Sequence, residues 1–141
     1  MSGSDEISEH LAEYLEALWY FEEHGLLPAK IKDIAESLKF KPPSVVEMLK
    51  KLAERNYVEY IDRKGAKLTP KGRKAITQII RNHRLIEVLL KDTLHEELDE
   101  NAVCGLEHHM TENIANALCT LLKHPSKCPH GRPIPKGKCD Q

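Results

Sequence analysis

Apolar residues recur at helical spacing along most of the chain and alternate strand-like in only one short stretch. Ile7, Leu11, Tyr14, Leu15, Leu18 and Trp19 mark one face of a helix over residues 6–24. Gly25 stops it. The segment IKDIAESLKF predicts a short second helix with Ile31, Ile34, Ala35 and Leu38 inward. The prolines of KPPS break that helix, and Pro43 suits the first turn of a third helix over 43–55. Val45, Met48, Leu49 and Leu52 form its inner face. The run YVEYIDRKGAKLT then reads as a hairpin, two short strands around the charged DRKG turn. Thr69 as N-cap and Pro70 at the first position restart a helix over 70–91.

That long helix is apolar on more than one face, through Ile76, Ile79, Ile80, Leu85, Ile86, Val88, Leu89 and Leu90. A helix apolar almost all round needs two packing partners, and a second copy of the chain would supply one of them. Residues 96–104 lead into a helix bearing CGLEHHM, and Thr111 caps a further helix over 111–123. From His124 the chain is rich in Pro and Gly and shows no periodicity. The expected fold is mostly α: an N-terminal winged helix-turn-helix over 1–72, a helical domain over 73–125, and a tail over 126–141.

Charge sharpens this picture. The net charge of −1 conceals four blocks. Residues 1–29 carry seven acids and no Lys or Arg, and residues 30–91 carry sixteen Lys/Arg against seven acids. Residues 92–122 again carry seven acids and no Lys or Arg, and residues 123–141 carry five Lys/Arg and one Asp. The basic block coincides with the helix-turn-helix and wing, the electrostatic footprint of a nucleic-acid surface. A winged helix lays its third helix in the major groove while the hairpin touches the backbone or minor groove. Lys41, Lys50, Lys51, Arg63, Lys64 and Lys67 are placed for phosphates. Pro43, Ser44 and Glu47 stand at the start of the third helix, where Ser44 and Glu47 could face bases. Val46 could reach a thymine methyl.

The 141 residues can bury a core without disulfides. No apolar run approaches the roughly 20 residues of a membrane span. The start, MSGSDEISEH, has neither the basic nor the apolar region of a secretory signal, so a cytoplasmic location and no membrane partner are expected. Cys104, Cys119, Cys128 and Cys139 then read as thiols or metal ligands rather than disulfides.

Three helices carry ligand-type residues at helical spacing: Glu13 and Glu16 on the first, His83 and Glu87 on the long one, and Glu100, Cys104, Glu107 and His108 on the acidic one. Positions i, i+3 and i+4 share a helix face, so Cys104, Glu107 and His108 can converge on one point. Mixed thiolate, imidazole and carboxylate donors suit Fe(II), Co(II), Ni(II) or Zn(II), whereas oxygens with an imidazole suit Mn(II) better. Cys128 and His130, with Cys139 and His124, could form a separate zinc site, but their spacing fits no common zinc pattern and the tail reads as structural. Cys119, on an apolar face, reads as core.

At EYLEALWYFEEHG, DIAESLKFKPPSVVEMLKKLAERNYV, LTPKGRK, NHRLIEVLL, NAVCGLEHHM and CPHGRPIP the chain resembles the diphtheria-toxin-repressor family of iron- and manganese-dependent transcriptional regulators. The resemblance runs from about residue 7 to about residue 135. It implies a winged helix that binds double-stranded operator DNA and a second domain that makes a homodimer. Divalent metal binds where the two meet and favours the DNA-binding form. Carried over residue by residue, the main site is Glu13, Cys104, Glu107 and His108, and an accessory site is His83, Glu87 and Glu100. Iron-type members carry a methionine at the position of Glu13 and a histidine at that of Glu100. Manganese-type members carry an acid at the position of Cys104, while Glu13 and Glu16 match acids that bind metal in them. Cys104 and CPHGRPIP lean towards Fe(II), Glu13 with Glu16 towards Mn(II). Fe(II) is expected first and Mn(II) next, with Zn(II), Co(II) or Ni(II) binding in vitro. Long iron-type members continue into an SH3-like third domain, and no such domain is expected here.

Such a regulator works by linkage. If the metal-bound form is the one that fits DNA, metal raises DNA affinity and DNA raises metal affinity by the same factor. Rival readings are a thiol redox sensor using Cys104, a winged-helix regulator with a vestigial metal site, and a metal-dependent hydrolase. There is no HExxH, nucleophile elbow or phosphate loop, so no enzyme and no small organic substrate are expected.

Overall fold

The computed structural model describes residues 8–140, so the expected contribution of Ile7 lies outside the described residues. The chain divides after Ile76 into two compact units.

The first unit opens with α1 (Glu9–Glu23), capped by the Ser8 hydroxyl, which accepts from Leu11 N–H at 3.2 Å. Its inner face is Ala12, Tyr14, Leu15, Ala17, Leu18 and Phe21. Next, α2 (Ile31–Leu38) buries Ile34 and Ala35 and ends at Lys39, which turns left-handed at φ 60°. The reversal brings Phe40 back to stack on Tyr14, their rings 5.9 Å apart and 14° from parallel. Then α3 (Pro42–Glu54) starts with proline in its first turn and buries Val45, Leu49 and Leu52 completely. Each such side chain contributes roughly 1.5–3 kcal/mol by leaving water.

The hairpin pairs β1 (Val58–Ile61) with β2 (Gly65–Leu68) in antiparallel register, Val58 opposite Leu68 and Ile61 opposite Gly65. Ala29 adds a further rung that periodicity does not reveal: it exchanges both backbone hydrogen bonds with Ala66, at 2.9 and 3.0 Å. The chain between α1 and α2 is therefore tied to the wing. Gly65 makes this approach possible. It lies at φ 141°, and a Cβ there would sit 1.9 Å from the Ala29 carbonyl oxygen.

Helix α4 (Pro70–Glu87) begins as the sequence predicts, with the Thr69 hydroxyl accepting from Gly72 N–H at 3.0 Å. Regular α-geometry ends at Glu87, and residues 88–93 continue as a wider π turn. The expected helix to residue 91 is thus altered in its last turn. Nothing in the run VLLKD breaks a helix, and a π turn leaves little sequence signal. The second unit is completed by α5 (Glu100–His109), capped by Asp99, and α6 (Glu112–Leu121), capped by Thr111. Its core gathers Leu85, Val88, Ala115, Cys119, Cys128 and Ile134. The aperiodic tail is packed. Cys128 N–H donates to Arg132 O at 2.9 Å, Ile134 N–H to Ser126 O at 2.9 Å, and a 3₁₀ turn over Lys138–Asp140 closes it. Among the described residues no helix is long and apolar enough to cross a membrane.

Gly65→Ala should lower stability by about 2–3 kcal/mol, because the added methyl meets backbone that cannot step aside. Urea denaturation of the two proteins checks this, and an unchanged midpoint would deny the Ala29–Ala66 rung.

Candidate functional site

In the first unit the expected DNA-facing residues gather on α3 and the wing. Lys41, Pro43, Ser44, Glu47, Lys50 and Lys51 are exposed, while Val46 is half-buried and Val45 fully buried. Arg63 and Lys64 stand exposed at the hairpin tip, Arg63 in the left-handed region at φ 64°. Lys67 is exposed on β2 and pairs with Glu59 at 3.3 Å. Lys51 lies 3.8 Å from Glu47, and Lys50 lies 6.0 Å from the centre of the Tyr60 ring. These are exposed pairs of small energetic weight, so the lysines remain available to phosphates. Glu13 and Glu16 are half-buried on α1.

In the second unit α5 brings Cys104, Glu107 and His108 together. One donor atom from each lies within 4.8 Å of the other two. The cause is helical spacing, as the sequence predicts. Glu107 is buried, with 2% of its surface exposed. His108 Nε2 is buried with no hydrogen-bond partner among the described residues, and Glu107 Oε1 lies 3.6 Å from it. A buried imidazole nitrogen without a partner, beside a carboxylate and a thiol, is the arrangement a cation would complete. Sulfur, oxygen and nitrogen donors together fit Fe(II), Co(II), Ni(II) or Zn(II).

The accessory residues are arranged differently from expectation. His83 Nδ1 lies 2.5 Å from Glu107 Oε2, and His83 Nε2 lies 3.5 Å from Glu87 Oε1. Burial alone would push His83 down, but the hydrogen bonds and charges of Glu107 and Glu87 outweigh it and raise it to about 10. Glu87 is also buried. Burial raises its carboxyl, yet His83, His130 and Arg132 together hold it below the usual range. Glu87 gathers with Cys128 and His130, whose Nδ1 lies 3.0 Å from Glu87 Oε2. Glu100 is exposed in the first turn of α5 and joins neither group. Cys128 and His130 therefore belong with Glu87 rather than with Cys139 and His124. The sequence shows the tail ligands but not their partner, because nothing in a Pro- and Gly-rich segment says where it packs.

Asn82 fixes the end of α5 that carries the ligands. Its buried amide donates to Glu107 O at 2.9 Å and Met110 O at 3.1 Å, while its Oδ1 accepts from Gln78 at 2.7 Å. Those carbonyls end a helix and would otherwise lack donors. Sequence reading passed over Asn82, since one polar residue in an apolar helix carries no signature.

One unit is thus a winged helix, and the other a helical domain with a cluster of metal-type donors. Residues 6–66 match the iron dependent repressor N-terminal DNA binding domain, and residues 69–136 match the iron dependent repressor metal binding and dimerisation domain. The chain belongs to the iron-dependent repressor family. It is 32% identical over 124 residues to the diphtheria toxin repressor of Corynebacterium diphtheriae, an alignment covering 86% of this chain and 54% of that one. It is 34% identical over 116 residues to the transcriptional regulator MntR of Geobacillus thermodenitrificans, covering 81% of each. The solved structure of the manganese regulator SloR superposes with a TM-score of 0.75 at 34% identity, covering 89% of this chain and 59% of that one. The chain spans about half the length of the diphtheria toxin repressor.

Asn82→Ala should cost about 2 kcal/mol, since it strands two buried carbonyls. It should also weaken metal binding about tenfold by loosening the ligand helix. Thermal unfolding and metal titration of the variant check both effects.

Proposed function

We propose that this protein is a divalent-metal-dependent transcriptional repressor of metal-uptake genes, acting in the cytoplasm. In this reading it binds operator DNA as a homodimer when Fe(II) or Mn(II) is bound. The observation that carries the reading is the Cys104, Glu107 and His108 triad with its unpartnered His108 Nε2, in a chain whose other unit is a winged helix. The two matched domains have the make-up of a regulator rather than an enzyme.

Cys104 Sγ, a Glu107 oxygen and His108 Nε2 would hold the ion, and the family resemblance assigns Glu13 to it as well. His83 and Glu87, joined by Cys128 and His130, would hold an accessory ion. A divalent ion would add positive charge beside the buried carboxylates Glu107 and Glu87, which His83 bridges. Linkage then requires that metal and DNA raise each other's affinity equally. Lys41, Lys50, Lys51, Arg63, Lys64 and Lys67 supply the salt-dependent attraction to phosphate. The names of relatives include both iron-dependent and manganese-dependent regulators, in keeping with a donor set that mixes thiolate and carboxylate. Support for a dimer comes from apolar side chains the second unit leaves in solvent: Leu94, Leu106, Ile114 and Leu121, each about half exposed or more.

The deciding experiment is DNA binding without oxygen to fragments of the source genome, with chelator and then with Fe(II), Mn(II) or Zn(II). Binding should appear only with metal, and equal binding in chelator would overturn the reading. Glu107→Gln keeps the size of the side chain and removes its charge, so at least tenfold more metal should be needed for half-maximal DNA binding. Glu13→Gln should raise the metal requirement in the same direction. Lys41→Ala should weaken binding about equally for all sequences, and should reduce the slope of log affinity against log salt by about 0.9.

A further inference from the structure

Four potential ligands outside the groups above meet in the second unit. Cys119 lies on the buried face of α6, and His124 follows that helix through two left-handed residues, Lys123 at φ 65° and His124 at φ 52°. The reversal is closed by His124 N–H donating to Cys119 O at 2.8 Å. Cys139 and Asp140 arrive from the far end of the tail in the 3₁₀ turn, where Asp140 Oδ2 accepts from Gly137 N–H at 2.9 Å. Donor atoms of all four lie within 4.8 Å of one another. Cys119 Sγ lies 3.5 Å from His124 Nδ1 and 3.6 Å from Asp140 Oδ1, and His124 Nδ1 lies 3.1 Å from Asp140 Oδ1.

The two separations from Cys119 match a tetrahedral ion, and the His124–Asp140 pair lies slightly closer, at hydrogen-bond distance. Zinc bonds of about 2.3 Å to sulfur and about 2.0–2.1 Å to nitrogen or oxygen place neighbouring ligand atoms roughly 3.3–3.8 Å apart. The set is two thiols, one imidazole and one carboxylate, a donor mixture suited to Zn(II). Charge agrees as well. Buried Arg81 donates to Cys139 Sγ at 3.0 Å and lies 3.6 Å from Asp140 Oδ2. With two thiolates, one carboxylate, an imidazole ligand and the Arg81 guanidinium, a divalent ion leaves the cluster with no net charge. Sequence spacing hides this site, because its four ligands come from a helix, a loop and the chain's last turn.

We propose that Cys119, His124, Cys139 and Asp140 form a structural zinc site that fastens the C-terminal segment to α6, separate from the Cys104 and Glu87 groups. The ion cross-links residues twenty positions apart in a segment with little regular structure of its own. It therefore holds the tail in place whichever ion occupies the Cys104 site.

The test is thiol footprinting of the full-length, metal-free protein as zinc is added from zero to three equivalents. N-ethylmaleimide labelling is read by mass spectrometry for each cysteine peptide separately. Zinc should slow labelling of half-exposed Cys139 at least tenfold. In His124→Ala and Asp140→Asn that protection should fall away, while the response of Cys104 to zinc stays as in the parent chain. Circular dichroism confirms that both variants are folded, and both positions are near the surface. Protection of Cys104 without Cys139 would overturn the proposal and leave the regulatory site untouched. A Cys119–Cys139 disulfide forming in air with zinc present would also overturn it, in favour of a redox pair. Loss of Cys104 protection alone would count against the proposed regulatory site and not against this one.

Discussion

The second unit depends on the need of buried polar side chains on α4 to find partners. Arg81, Asn82, Arg84 and Glu87 are each at most 5% exposed, and His83 lies among them. Burying such groups without partners costs several kcal/mol each, so their partners determine what can pack against the helix. Asn82 takes the end of α5, and His83 takes Glu107 on α5 and Glu87 on its own helix. Arg84 takes the tail through Pro133 O at 2.5 Å, and Arg81 takes its last turn. Polar residues pointing to different sides of one helix thus fix α5 and the tail against it. Apolar packing alone would hold these segments but leave their register loose.

The same need for partners explains how two buried carboxylates can lie on either side of His83. Glu87 and Glu107 repel across a short distance in a poorly solvated place. A raised His83 supplies the positive charge between them. The donors of Cys104, Glu107 and His108 are themselves gathered within 4.8 Å, as a cation would need them. The lone His108 nitrogen fits this view, since it is buried beside Glu107 and Cys104 with no hydrogen-bond partner among the described residues.

Much of this was legible in the sequence where one helix carries its own information. The three helices of the first unit, the wing, the Thr69 and Thr111 caps and the Cys104, Glu107 and His108 face all follow from local spacing and capping chemistry. What stayed hidden depends on contacts between distant segments. The Ala29 rung needs only a short backbone stretch with no alternation. The π turn after Glu87 costs one hydrogen-bond offset that no residue type marks. Glu100 joins no group, because its place in the first turn of α5 leaves it exposed, and spacing alone cannot tell an exposed helix end from a buried one. The tail was the least legible part. Its Cys and His residues were visible, and their spacing fitted no zinc pattern, but spacing could not show that Glu87 on α4 and Cys119 on α6 lie beside them.

The separation of charge along the sequence follows from the two tasks proposed for the chain. Phosphate attraction and cation binding call for opposite surfaces. Charges interact over about a Debye length, roughly 8–10 Å at moderate ionic strength. A net excess of basic charge around a metal centre would weaken it, and a net excess of carboxylates around a phosphate contact would weaken that. Interleaving them would therefore cost affinity on both sides. The sequence keeps an excess of nine positive charges within residues 30–91 and no Lys or Arg within residues 92–122. Arg81 and Arg84 do lie in the basic block, but they are buried and paired inside the second unit, so they serve the fold rather than the DNA surface. A net charge of −1 would have concealed all of this, which is why the pattern of charge, and not its sum, points to function here.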